Sequence, residues 1–247
     1  MDDFKTYGLI GKSLSHSFSP TYFEEKLERE NIEDAQYLSF PLQGIQDFPK
    51  LLEDYNLAGL NVTIPYKREI IPYLDELRGA AKEIQAVNCI AFENEKLIGY
   101  NTDALGFEHS ITPLLSNVHC NAMIMGTGGA AQAVAFVLKK LKIPFTFVSR
   151  QKNEGFVSYE AAEARLDQFQ IIINTTPIGT SPNEDDCPLK TMEGIGADHL
   201  VYDLIYNPVT TKLLAQAADR GATIKNGLQM LEVQAEESWR IWNGLEK

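Results

Sequence analysis

Apolar positions along the chain fall into two successive regimes. In the first hundred residues, short apolar runs alternate with helically spaced ones. Tyr7–Ile10 reads as a strand ending in Gly11, Gln36–Phe40 as a second strand, and Gly59–Ile64 as a third stopped by Pro65. Ser19-Pro20 predicts a helix N-cap followed by proline in the first turn, with Phe23 and Leu27 four apart on the helix behind it. Phe48, Leu51, Leu52 and Tyr55 have helical spacing, and Asn88–Phe92 with Leu97–Tyr100 flank a polar turn as a hairpin. Strands alternating with helices predict crossover units and a largely parallel or mixed sheet.

The second regime begins after Tyr100. Phe107, Ile111, Leu114 and Leu115 describe a helix, and Asn121–Met125 is a buried strand running into Gly126-Thr127-Gly128-Gly129. Ala130–Leu141 is a helix of small and aliphatic residues, and Phe145–Ser149 is the next strand. Ile171–Ile173 and Leu200–Leu204 are later strand cores, and Thr210–Arg220 is a helix closed by Gly221. This strand–glycine turn–helix–strand series predicts a doubly wound nucleotide domain. Leu228, Leu231, Ala235, Trp239 and Trp242 then recur at three- and four-residue steps. So large an aromatic stripe must be buried, and it is expected to return to the first domain. The expected division is a domain of residues 1–103 plus 228–247 and a dinucleotide-binding domain of residues 104–227.

Length and charge narrow the function. The 247 residues allow one large domain or two modest ones at roughly 100–200 residues each. A net charge of −12 argues against broad contact with nucleic acid or anionic lipid, whose recognition relies on clustered Lys and Arg. The three cysteines, Cys89, Cys120 and Cys187, show neither CxxC nor zinc-like spacing, which favours a reducing compartment. The N-terminus does not read as a signal peptide, and no stretch approaches the about 18 apolar residues of a membrane span. A cytoplasmic protein acting on a small molecule, as a monomer or homodimer, is the expectation.

Candidate chemistry clusters at a few places. In Gly126-Thr127-Gly128-Gly129-Ala130-Ala131 the glycines let the backbone turn tightly, and the following helix start offers free N–H groups to a pyrophosphate; a tight turn with no ligand is the plain alternative. The next strand ends in Ser149-Arg150-Gln151-Lys152, with no acid for a ribose 2′-hydroxyl and an arginine that suits a 2′-phosphate. NADP is therefore expected over NAD. Ser13, Ser15, Ser17 and Ser19 alternate, as hydroxyls on one side of an extended segment or as helix-capping loop residues. Asn61 and Thr63 share one side of a strand end, and Lys67 follows at a strand–helix junction, where it could stabilise a developing oxyanion or move a proton; a surface lysine is the ordinary alternative. Asn88 offers donor and acceptor to a hydroxyl, and Asp103, at the inferred domain junction, could orient the Lys67 ammonium, although Asn101 and Asp103 also suit helix capping. His16, His109, His119 and His199 show no metal-ligand spacing, and Cys89 has no paired base and reads as a small buried residue.

Taken together, these elements resemble the shikimate dehydrogenase family from end to end. The resemblance rests on Ser17-Phe18-Ser19-Pro20, on Asn61-Val62-Thr63-Ile64-Pro65-Tyr66-Lys67, on Ala86-Val87-Asn88 and on Asn101-Thr102-Asp103. It continues through Gly126–Ala130, Asn174-Thr175-Thr176-Pro177-Ile178-Gly179 and Tyr202-Asp203-Leu204-Ile205-Tyr206-Asn207-Pro208, and closes on Gly227-Leu228-Gln229-Met230-Leu231-Glu232-Val233-Gln234. What it implies is an α/β protein with an N-terminal mixed-sheet substrate domain and a Rossmann-like NADP domain. The implied activity is reversible reduction of 3-dehydroshikimate to shikimate in aromatic amino-acid biosynthesis. By the resemblance, Lys67 and Asp103 form the catalytic pair. Ser17, Ser19, Thr63, Asn88, Tyr206 and Gln234 hold the substrate. Gly126, Gly128, Gly129 and Ala130 cradle the pyrophosphate, Ser149 and Arg150 (with Lys152) meet the 2′-phosphate, and Thr175, Leu204 and Gly227 complete the cofactor site; no metal is implied. The chain departs from the family in reading Ser149-Arg150-Gln151 where N-R-T is usual, and in stopping soon after Trp242. Two rival readings are a quinate or shikimate dehydrogenase using NAD, and a non-catalytic NADP-binding regulator on the same fold.

Overall fold

A computed structural model describes residues 4–15, 17–150 and 155–245. Its chain divides into two compact units, Met1–Leu105 with Leu231–Lys247, and Gly106–Met230. Each has its own six-stranded sheet.

The first unit contains β1 (Lys5–Gly11), α1 (Phe18–Arg29), β2 (Ala35–Pro41), α2 (Phe48–Asp54), β3 (Leu57–Val62), β4 (Glu76–Leu77), α3 (Ala81–Ile84), β5 (Cys89–Glu93) and β6 (Lys96–Tyr100). The strand order is β2-β1-β3-β5-β6-β4. β1 runs parallel to β2 and β3, whereas β5 is antiparallel to both β3 and β6, so the sheet is mixed. Ile10, Leu60, Val62, Phe48 and Ile90 fill a core on one side. On the other side lie aromatic rings: Tyr7 stacks on Trp242 at 5.0 Å between centroids, and Phe23 stacks on Tyr37 at 4.5 Å. Trp239 and Trp242 are carried by α8 (Leu228–Trp242), whose later turns belong to this unit.

α1 begins two residues earlier than its serine–proline signal suggests. Ser17 is the N-cap, with no side-chain capping bond, and Ser19 and Pro20 lie inside the first turn. Proline is accommodated there because first-turn N–H groups have no intrahelical acceptor. β3 closes at Val62 instead of Ile64, and a series of turns with a 3₁₀ turn at Ile71–Tyr73 follows, so Lys67 is not at a strand–helix junction. The helix expected around Phe107 starts earlier, as α4 (Asp103–Ile111), and gives way to a 3₁₀ turn at Thr112–Leu114.

The second unit contains most of α4, then β7 (Ala122–Met125), α5 (Gly129–Lys140), β8 (Phe145–Val148), β9 (Phe156–Val157), α6 (Tyr159–Glu163), β10 (Ile171–Asn174), β11 (Leu200–Asp203), α7 (Lys212–Ala218) and β12 (Thr223–Lys225). The order is β9-β8-β7-β10-β11-β12 and every pairing is parallel. That is the doubly wound order 3-2-1-4-5-6, which reverses direction between its first and fourth strands, here β7 and β10. Both central strands are buried throughout, as a sheet covered on both faces requires. At the end of β11 the carboxylate of Asp203, fully buried, accepts from Asn174 Nδ2 at 3.0 Å, Ile205 N at 3.1 Å and Thr211 Oγ1 at 2.7 Å. Burial nevertheless pushes its carboxyl up to about 6 from an ordinary 3.8, against the three donors, which act to lower it.

Two outcomes follow from these packings. Gly59 on β3 lies beneath the Trp242 indole, which is anchored by a 3.0 Å bond from Nε1 to the Ile90 carbonyl. A methyl at Gly59 would meet that ring, so Gly59→Ala should destabilise the first unit by about 1–3 kcal/mol in urea unfolding. A stability equal to wild type would show that the indole yields. Asp203 has a folded pKa above its unfolded value, so the folded state retains the proton between about pH 4 and 6 and stability falls as pH rises through that window. Measured against Asp203→Asn, which does not titrate, wild type should lose up to about 3 kcal/mol of unfolding free energy from about pH 4 to 7. A difference that is flat, or that grows with pH, contradicts this.

Candidate active site

The first unit gathers a continuous polar network beside β3, β5 and the start of α4. Lys67 Nζ donates to Asp103 Oδ2 at 2.6 Å, with side chains 17 % and 7 % exposed. The other carboxylate oxygen, Oδ1, accepts from Asn88 Nδ2 at 3.0 Å. Asp103 is the first residue of α4, where the helix dipole favours a negative charge, and Asn101 Oδ1 caps the same turn by accepting from Ala104 N. The backbone holds Lys67 as well, since its carbonyl accepts from Val87 N at 2.7 Å.

Donor counting fixes the direction of most of these bonds. Asn88 Oδ1 accepts from Thr102 N at 2.7 Å, which sets the amide so that its NH₂ faces Thr102 Oγ1 (2.9 Å) and Asp103. Ser238 donates its single proton to the Gln234 carbonyl at 2.9 Å, so its oxygen accepts from Asn61 Nδ2 at 3.0 Å. Thr102 Oγ1 lies 3.3 Å from Ser238 Oγ and 3.4 Å from Gln234 Oε1, and its single proton serves one of the two. Gln234 Oε1 lies 3.3 Å from Asn88 Nδ2. Farther out, Tyr37 OH donates to Asn61 Oδ1 at 2.8 Å and shares a hydrogen bond with Ser19; burial holds its phenol well above the usual range. Every bond at Asp103 therefore arrives from a donor. The Lys67 ammonium has three N–H groups, and among the described residues Asp103 is its one acceptor. The pair can hold a ligand oxygen beside a proton donor.

Lys67, Asp103, Asn88 and Gln234 thus meet directly, and Ser19 joins through Tyr37. Ser17 stands at the N-cap of α1 and Thr63 just past β3, where its N–H donates to the Ile10 carbonyl at 2.9 Å. The alternating serines do not form an extended row: Ser15 is in a turn, Ser17 caps and Ser19 is helical. Cys89 is fully buried. His16, Gln151 and Lys152 lie outside the described residues. The sequence assigns no role to Thr102 or Ser238, and for Asn61 it offers only the strand face and a place at the head of the Asn61–Lys67 element; Thr102 stands within the Asn101-Thr102-Asp103 element, whereas Ser238 carries no sequence signal at all.

In the second unit, the glycine turn falls at the sheet's reversal point. Gly126 has φ +108°, and a Cβ there would lie 2.5 Å from Thr175 Oγ1, so both conformation and space demand glycine. Thr175 binds the Met125 carbonyl twice, through N at 3.0 Å and Oγ1 at 2.6 Å. Gly128 is the N-cap of α5, with Gly129 and Ala130 in its first turn; no side chain caps it and no acid stands there. An uncapped twelve-residue helix start, free of carboxylate, at the crevice of a doubly wound sheet fits a diphosphate. Leu204 N donates to the Asn174 carbonyl at 2.9 Å, and Gly227, against Leu204, donates to the Ile205 carbonyl at 3.0 Å. Ser149 closes β8 by donating its N–H to the Val157 carbonyl at 3.0 Å, and Arg150 beside it is exposed. Tyr206 is half-buried, and burial raises its phenol. No helix of the described residues is long and apolar enough to cross a membrane, and among those residues no cluster of His, Cys, Asp and Glu suits a metal ion.

Known proteins resemble this chain in sequence and fold. Residues 9–90 match the family model described as the shikimate dehydrogenase substrate binding domain. The NADP-dependent shikimate dehydrogenase of Staphylococcus haemolyticus is 38 % identical over 251 residues, spanning 96 % of this chain and 92 % of its own. Among solved structures, shikimate dehydrogenase from Aquifex aeolicus has a TM-score of 0.84 at 36 % identity, covering 97 % of this chain and 92 % of that one. The Thermus thermophilus enzyme, solved in complex with NADP(H) and shikimate, reaches 0.85 at 26 % identity, covering 97 % and 94 %. With this identity sustained over nearly the whole length, the chain belongs to the shikimate dehydrogenase family.

Proposed function

We propose that the chain is a cytoplasmic NADP-linked dehydrogenase that interconverts shikimate and 3-dehydroshikimate, working in the reducing direction in aromatic amino-acid biosynthesis. The observation that carries this reading is the 2.6 Å Lys67–Asp103 pair, anchored by Asn88 on the mixed-sheet unit. The bound nicotinamide would supply hydride exchange at the substrate carbon. The side chains of this chain supply the rest. Lys67, as the ammonium, stabilises charge developing on the substrate oxygen and delivers the proton to it; in oxidation it takes that proton back. Asp103 orients the ammonium through Oδ2, and Asn88 keeps the carboxylate from rotating.

In this reading Ser17, Ser19, Thr63, Asn88, Tyr206 and Gln234 hold the substrate carboxylate and hydroxyls. Asn88 and Gln234 already bond to the pair's network, so they would carry substrate contacts and Asp103's orientation together. Gly126, Gly128, Gly129 and Ala130 would face the diphosphate, with Thr175, Leu204 and Gly227 around it and Ser149 and Arg150 toward a 2′-phosphate. The exposed guanidinium of Arg150 at the end of β8, with no acid beside it in Val148–Lys152, supports NADP.

The testing experiment follows reduced-cofactor formation with shikimate and, separately, quinate, each with NADP and NAD. Turnover with shikimate and NADP well above the other three combinations is expected; preference for quinate with NAD would replace the proposal, and absence of turnover would leave a cofactor-binding module. Lys67→Ala should lower kcat by about 10³-fold, the scale of a lost acid–base group, while the Kd for NADP stays near wild type. Unchanged turnover in that variant removes Lys67 from the chemistry.

A further inference from the structure

Asp203 is a fully buried acid that no step of the proposed chemistry uses. Charged groups are rarely left in such places without a task, because their desolvation is costly. Its three donors come from three different segments. Asn174 Nδ2 belongs to the exit of β10, Ile205 N to the exit of β11, and Thr211 Oγ1 to the N-cap of α7. One carboxylate therefore ties together the two loops that leave adjacent central strands at their C-terminal ends.

The tie extends to the glycine turn. Asn174, once held by Asp203, uses its own Oδ1 to accept from Thr176 N at 3.0 Å and Thr176 Oγ1 at 2.7 Å. That orders the loop in which Thr175 grips the Met125 carbonyl and fills the space beside Gly126. On the other side, Leu204 N binds the Asn174 carbonyl, and the Ile205 carbonyl receives Gly227 N. Thr175, Leu204 and Gly227, from three separate segments, are thus each one residue or one bond removed from the Asp203 clamp.

We infer that Asp203 is a positioning residue for the dinucleotide: its carboxylate sets the β10 and β11 exit loops in the register that Thr175, Leu204 and the Gly126 turn need to receive the cofactor. This rests on the cofactor site proposed above. A neutral side chain too short to reach would leave Asn174, Thr211 and the Ile205 N–H without their acceptor, and the loops would spread. Asparagine would keep one acceptor oxygen for Asn174 and Ile205 but turn an NH₂ toward Thr211.

The test is calorimetric titration of NADP+ into wild type, Asp203→Ala, Asp203→Asn and Thr211→Val, with folding checked by circular dichroism and kcat measured at saturating NADP+. Asp203→Ala is expected to raise the Kd about tenfold or more, as misplaced supporting groups do, with kcat changed much less. Asp203→Asn should recover part of that loss, and Thr211→Val should show a smaller rise of about threefold. A purely structural role would lower the melting temperature of Asp203→Ala and leave the Kd alone, which overturns the inference. If Asp203→Ala does not fold, Thr211→Val decides: a Kd equal to wild type overturns it. If wild type itself binds no NADP+, the cofactor reading falls and takes this inference with it; if wild type binds and the variants bind equally, the inference alone falls.

Discussion

A carboxylate that must accept from two sides at once sets the layout of the first unit. Asp103 is nearly buried, and a buried charge survives only when its lone pairs are met. One oxygen takes the Lys67 ammonium and the other takes the Asn88 amide. Those partners come from the turn after β3 and from the residue that leads into β5, two strands that pair antiparallel in the sheet. The ion pair is thereby fixed by the sheet's own register as much as by side-chain choice. Behind Asn88 the hydrogen-bonded chain continues through Thr102, Ser238, Asn61 and Tyr37, with Tyr37 donating to Asn61 and Asn61 to Ser238.

The second unit solves a different problem with related means. A doubly wound sheet opens a crevice where its strand order reverses, and the loops leaving those strands are held by few backbone bonds. Glycines let the first loop turn; a buried acid pins the next two. That division of labour separates flexibility of backbone from order of side chains. It also explains why an ionisable group at a cost in desolvation stands where an apolar residue would pack: no apolar side chain can accept three hydrogen bonds.

Much of this was legible from residue order because each element carried a local cause. Apolar periodicity marked the strands and the long helices, and Gly126–Gly129 announced a strand-to-helix turn. The boundaries were less legible where two local rules competed. Pro20 satisfies the first turn at more than one position, so α1 starts at Phe18 and not after Ser19. Pro65 reads as a strand stop and so suggests a strand–helix junction at Lys67, but β3 ends at Val62 and the residues beyond make turns and a 3₁₀ turn. The pairing of Lys67 with Asp103 was reachable as a chemical guess, since each type suits the other. The roles of Ser238 and Thr102 were not, because hydroxyl contacts 136 residues apart leave no periodic trace. The clamp at Asp203 leaves no periodic trace for the same reason: its side-chain donors lie 29 residues before it and eight after it.

The indoles of Trp239 and Trp242 rest on Tyr7 and Phe23, yet the whole of the second unit lies between them along the chain. On a ribosome the order of arrival is therefore inverted. Every residue of the second unit has been synthesised before the last aromatic wall of the first unit emerges. Until then Tyr7 and Phe23 lack the two indoles that cover them in the folded unit, and uncovered aromatic surface of that kind invites association with other chains. The aromatic face begun by β1 and α1 is thus completed only by α8, after the whole second unit has been made.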